Sequence, residues 1–169
     1  VMSPVQFAAA QSEKYPGKPI RWIVPFPPGG SVDILARLVN GKLAENLGQQ
    51  VVIDNRSGAS GIIGTEVVAR AAPDGYTVLS NTVPFVANTF LYSRVPYDIR
   101  NDFVPVSIMA STAALMTVHP SVPANSVREL LQLARSRPGA LNYGSAGIGT
   151  NPHIAGELFN YLGKVNLTV

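Results

Sequence analysis

Short apolar runs alternate with longer stretches of helical periodicity along the chain, most regularly in its first half. Ile20 to Phe26 is almost continuously apolar, interrupted only by Arg21, which suits a strand covered on both faces. Helical spacing follows from about Val32 to Leu47, with Ile34 and Leu38, Leu35 and Val39, and Leu43 and Leu47 as the expected inner face. Ser31 stands where an N-cap belongs, Asp33 falls in the first turn where the helix dipole favours negative charge, and Gly48 supplies the stop. Val51 to Asp54 predicts a second strand, Ile63 to Ala72 a short helix ended by Pro73-Asp74-Gly75, and Tyr76 to Ser80 a third strand. A βαβαβ series of this spacing demands parallel strands joined by right-handed crossovers.

After Ser80 the rhythm changes. Val83 to Asn101 is mixed, holds Pro84 and Pro96, and predicts one helical turn around Ala87–Tyr92. Phe103 to Ser111 and Ala114 to His119 read as two strands of a second unit. Ser126-Val127-Arg128-Glu129 is a capping box that starts a helix running to about Arg137, with Leu130, Leu131, Leu133 and Ala134 turned inward. Leu141 to Tyr143 predicts another strand, His153 to Leu162 another helix, and Val165 to Val169 opens a further strand. The pattern divides the chain into a leader over 1–14, a first α/β lobe over 15–100, and the start of a second, truncated lobe over 101–169. A sheet left unfinished has an open edge, so pairing with another copy of the chain is one expectation.

Three glycine-rich turns each join a predicted strand to a predicted helix: Pro27-Pro28-Gly29-Gly30-Ser31, Gly58-Ala59-Ser60-Gly61, and Gly144-Ser145-Ala146-Gly147-Ile148-Gly149-Thr150. Such turns leave backbone N–H groups at a helix N-terminus, where the dipole is positive, and hold anions. None of the three contains a lysine. Gly58, Gly61 and Gly64 miss the spacing of a dinucleotide fingerprint. Thr150 stands where a phosphate-binding P-loop needs its lysine, which argues against nucleotide hydrolysis. Ser60 and Ser145 each lack one of the two flanking glycines of a nucleophile elbow, and His153, eight residues past Ser145, is expected to bond locally. An acyl hydrolase built on Ser145 and His153 is the enzymatic alternative. The residues favour a site that grips a small carboxylate without transforming it.

Composition narrows the partners. The chain has 169 residues, 46% of them apolar, enough for a real core. Thirteen basic against ten acidic residues give +3, but the basic residues are dispersed, so no nucleic-acid interface is expected. With no cysteine and only two histidines, no metal site or cofactor is expected. The longest apolar stretches are too short to span a bilayer. Ala8-Ala9-Ala10 fits the end of a secretory signal with Gln11 as the first mature residue.

Several separated blocks together resemble one family. Ile23 to Asp33 with Ala36-Arg37, Asn55 to Gly61 with Gly64, and Val68 to Thr77 are similar to the periplasmic solute-binding proteins of tripartite tricarboxylate transporters, the Bug (Bordetella uptake gene) family. So are Tyr97-Asp98, Asp102 to Val106, and Tyr143 to Thr150 with His153 and Ala155 to Phe159. The resemblance runs from about Tyr15 to Val169 and implies a periplasmic-binding-protein-like α/β fold: two lobes, with parallel or mixed sheets, closing on an organic acid. It implies Phe26, Gly30, Ser31, Asp33, Ala59, Ser60 and Gly61 as ligand-binding residues, with Ser145, Gly149, Thr150 and His153 opposite. It also implies a periplasmic location, a ligand that is a dicarboxylate, amino acid or aromatic acid, delivery to membrane transporter subunits, and no catalysis. Pro28 and Ser60 depart from the family's usual Ala and Gly, and the family's chains continue beyond the point matching Val169.

Overall fold

The structure is a computed structural model that describes residues 14–169, so the cleavage site expected at Ala8–Ala10 and all of the leader but Lys14 lie outside the described residues. Three parallel strands, β1 (Ile20–Val24), β2 (Val51–Asn55) and β3 (Thr77–Leu79), form one sheet in the order β2-β1-β3. The central strand is the most buried, as its apolar run requires. Ile20, Trp22 and Val24 share one face and pack with Val32 and Ala36 of α1 (Ser31–Leu47) and with Val51. Trp22 is able to enter this core because its indole N–H donates to Ser80 Oγ at 2.7 Å. The next crossover, through α2 (Ile62–Ala69), returns past β1 in the opposite direction, so the same handedness puts it on the sheet's other face. Fully buried Ile23 points to that face.

The α1 surface differs from expectation. Its inner stripe is Val32 and Ala36, followed by Leu43, Ala44 and Leu47, whereas Ile34 is 49% and Leu38 74% exposed. The small Ala36 side chain lets the helix approach the sheet closely, and Ile34 and Leu38 then fall on the far side. Its N-cap is Gly30 and not Ser31, which is the first helical residue and makes no side-chain cap. Gly48 ends the helix in the left-handed conformation (φ 65°), as expected. The predicted helix to Ala72 stops at Ala69, and the predicted turn around Ala87–Tyr92 is a full helix, α3 (Pro84–Leu91), with proline at its start.

Beyond α3, Phe85, Tyr97 and Phe103 form an aromatic cluster, with Phe103 edge-on to the other two at 5.0 and 6.0 Å. The two strands expected over 103–111 and 114–119 do not form; the segment is irregular, with Val104, Val106, Ile108 and Leu115 at least 85% exposed. An alternating apolar segment becomes a strand only against a partner ladder, and none of the described strands supplies one. The Ser126 cap forms at α4 (Val127–Ser136): Glu129 N–H donates to Ser126 Oγ, while Glu129 Oε2 accepts from Asn125 N–H, one residue before the cap. Leu130 and Ala134 are its buried residues. The strands expected at Leu141–Tyr143 and Val165–Val169 reduce to one parallel bridge, Asn142 with Thr168, flanking α5 (Asn151–Gly163).

Candidate functional site

The first glycine turn leaves the C-terminal end of β1 and is held from within. Asp33, 2% exposed, turns its carboxylate back into the loop, where Oδ2 accepts from Gly29 N–H at 2.8 Å and Arg37 Nε at 2.9 Å. Asn55 Nδ2, at the end of β2, donates to Asp33 Oδ1 (3.0 Å) and to the Phe26 carbonyl (3.1 Å), tying the turn to the neighbouring strand. These donors, Arg37 first, hold the Asp33 pKa down to about 2. Asp33 therefore builds the turn, and its oxygens are engaged by the protein's own donors. Gly30 N–H is also used internally, to the Pro27 carbonyl at 3.2 Å. The amides of Ser31, Val32 and Asp33 at the helix start receive no acceptor among the described residues. They form the anion-seeking end of α1.

The second turn, at the end of β2, runs through four successive positive φ angles: Gly58 (136°), Ala59 (46°), Ser60 (52°) and Gly61 (89°). For Ala59 and Ser60 this conformation costs about 1–2 kcal/mol each. It is held at several points. Gly61 N–H donates to the Gly58 carbonyl at 2.9 Å, the Phe26 ring lies over Gly61, and Thr65 Oγ1 donates to the Gly61 carbonyl. Asn88 Nδ2, from α3, donates to the Ser60 carbonyl at 3.0 Å.

The third turn rests directly on the second. Ser60 Oγ donates to the Ile148 carbonyl at 2.8 Å, and buried Gly149 lies against Asn88 and Leu91. Thr150 closes this turn onto the Gly147 carbonyl, through both its hydroxyl and its N–H. Ser145 Oγ accepts from Gly147 N–H at 3.2 Å, and His153 Nδ1 accepts from Gly149 N–H at 3.3 Å. No hydrogen bond joins Ser145 to His153 among the described residues, so the contact a hydrolytic pair needs is not made. Nearby, burial and the Glu157 carboxylate push the Tyr143 phenol up to about 12, so it stays protonated and donates to Glu157 at 2.8 Å.

The three turns thus form one contiguous surface, the first two at the C-terminal ends of the parallel strands β1 and β2, where open α/β sheets bind ligands, and the third after the single bridge at Asn142. The resemblance pointed to the turns; it gave no part to Asn88 or Asn55 as supports. A lone asparagine inside the apolar run Phe85–Leu91 is the one sequence signal that marks Asn88. Two surface hollows lie elsewhere, along Pro19–Arg21 with Val52–Asn55 and among Arg70, Arg94–Asp98 and Asp102. Among the described residues no His, Asp and Glu side chains cluster to hold a metal.

Residues 35–167 match the family described as the tripartite tricarboxylate transporter family receptor. The chain belongs to this receptor family. Protein BugT of Bordetella pertussis is 38% identical over 154 residues, which cover 90% of this chain and 47% of BugT. Rpa4515 of R. palustris, solved with adipate, superposes with a TM-score of 0.83 at 41% identity, covering 91% of this chain and 52% of that one. MatC from Rhodopseudomonas palustris, solved with malate, gives 0.80 at 32% identity over 91% of this chain and 53% of its own. The receptor chain described here therefore spans about half the length of the relatives it matches. The α/β, periplasmic-binding-protein fold expected from the sequence is the fold these relatives share with it.

Proposed function

We propose that this receptor chain binds a small organic dicarboxylate in the periplasm and delivers it to the membrane subunits of a tripartite tricarboxylate transporter. One observation carries the reading: the amides of Ser31, Val32 and Asp33 lack acceptors among the described residues at a helix N-terminus, next to a turn whose strain is maintained by several bonds. Neutral donors of this kind suit a carboxylate, and two receptor relatives were solved with the dicarboxylates adipate and malate. BugD, a relative of 31% identity, was solved as a periplasmic binding protein, and no helix among the described residues is long and apolar enough to cross a membrane. Ligand contacts fall to Phe26, Gly30, Ser31, Ala59, Ser60 and Gly61 from one side and to Ser145, Gly149, Thr150 and His153 from the other, with Asp33 fixing the first turn. On this reading 15–100 and 101–169 belong to two lobes, and the Ser60–Ile148 bond is a closing contact between them. The protein holds its ligand without chemical change: Ser145 and His153 each bond to a backbone amide of their own turn.

A thermal-shift screen tests the proposal. Adipate, malate, aspartate and benzoate are compared with phosphate and a nucleoside monophosphate, each at up to 10 mM. Binding at a hundred times Kd stabilises by about 2.7 kcal/mol, so a genuine ligand raises the unfolding midpoint clearly. The expected result is a rise with a dicarboxylate and none with the nucleotide. A rise with the nucleotide alone, or no response to any acid, removes the proposal.

A further inference from the structure

Asn88 lies at the junction of the second and third turns, and the family resemblance gives it no part in the site. Its side chain is 1% exposed, and it reaches both turns from α3. On one side Nδ2 donates to the carbonyl of strained Ser60 at 3.0 Å. On the other, Oδ1 is buried without a donor among the described residues and faces Gly149, where an added Cβ would stand 3.1 Å away. Leu91, one helical turn further on, would stand 3.0 Å from the same Cβ, and Gly149 has φ +80°. The third turn therefore seats on α3 only because residue 149 is glycine. Ser60 closes the loop by donating its hydroxyl to Ile148, the residue preceding Gly149.

We propose that Asn88 is a positioning residue for the carboxylate site, holding the left-handed turn through the Ser60 carbonyl while its far side forms the seat of the Gly147–Thr150 turn. The two turns then come into register together or not at all. Leaving a buried acceptor without a donor costs free energy, and an amide at this point is kept because its other end holds the strained turn. This assignment rests on the carboxylate-binding reading, and it adds the way the two halves of that site are set against each other.

The test uses the variants Asn88→Ala, Ser60→Ala, their double variant, and Gly149→Ala, with adipate as the calorimetric probe and amide exchange of the ligand-free protein as a second readout. Asn88→Ala is expected to weaken adipate binding about tenfold, the loss of one buried hydrogen bond. The double variant is expected to be no weaker than the worse single variant, since both act through one contact set. Losses that multiply, or wild-type affinity in Asn88→Ala, overturn the assignment. Without ligand, the amides of Gly61 and Thr150, each bonded within its own turn, are expected to exchange faster together in Asn88→Ala while β1 amides stay protected. Gly149→Ala, which keeps Asn88 but unseats the third turn, should do the same if Asn88→Ala fails to fold. Faster exchange at one turn alone refutes the coupling. Coupled exchange in a protein that takes up no adipate upholds the coupling and refutes the carboxylate reading instead.

Discussion

The carboxylate of Asp33 is folded back on its own loop, and that has a pH signature. Its folded pKa of about 2 lies below the ordinary 3.8, so folding favours the ionised form. The stabilisation it supplies is complete above about pH 4 and is lost as pH falls through about 2. Wild type is therefore expected to exceed Asp33→Asn in thermal midpoint by a constant margin at neutral pH, and the margin should shrink between about pH 4 and 2. A margin independent of pH would show that the carboxylate is not held as described. At this scale the sequence was half legible. Asp33 in a first helical turn signals a favourable charge, but its engagement with Gly29, Arg37 and Asn55 requires knowing which strand lies alongside. Asn88 was less legible still, because its partners Ser60 and Gly149 are distant in sequence.

Elements were easiest to read where local chemistry decides them. The side-chain cap at Ser126 is entirely local and forms as expected, so Ser126→Ala should cost about 1 kcal/mol in urea unfolding. Ser31 caps nothing, and Ser31→Ala should cost less than about 0.5 kcal/mol. Equal losses at the two positions would contradict this assignment of caps. Two glycines give an opposite pair. Gly41, inside α1, has open space where a Cβ would stand, so Gly41→Ala should stabilise by about 0.5–1 kcal/mol. At Gly64 a Cβ would lie 2.7 Å from both the Arg56 carbonyl and Pro25, so Gly64→Ala should destabilise by about 1–3 kcal/mol in the same measurement. The sheet was readable for the same reason: an apolar run as dense as β1 leaves few choices but the centre. The inner face of α1 was not, since large apolar residues outnumber the small Ala36 that sets the approach.

Across the whole molecule, order is uneven. The three-stranded sheet and its helices account for the compact core, while 103–119 presents apolar side chains with no ladder to join among the described residues. Alternation in that segment reads as strand, yet pairing depends on a partner that local pattern cannot supply. Val106 and Ile108, 91% and 85% exposed, bury almost nothing. Replacing both by lysine should leave unfolding stability within about 0.5 kcal/mol and lower any self-association seen in sedimentation. A large loss of stability would mean that the segment packs after all. The proposed function depends on a smaller region, the surface of three turns. Titrating adipate into the isotopically labelled chain and following backbone amide resonances tests that most directly, because weak binding still moves shifts. The amides of Ser31, Val32, Ala59, Ser60 and Gly149 are expected to move together along one saturating curve. Shifts confined to the hollow around Arg70 and Arg94, or none at millimolar adipate, would contradict the account.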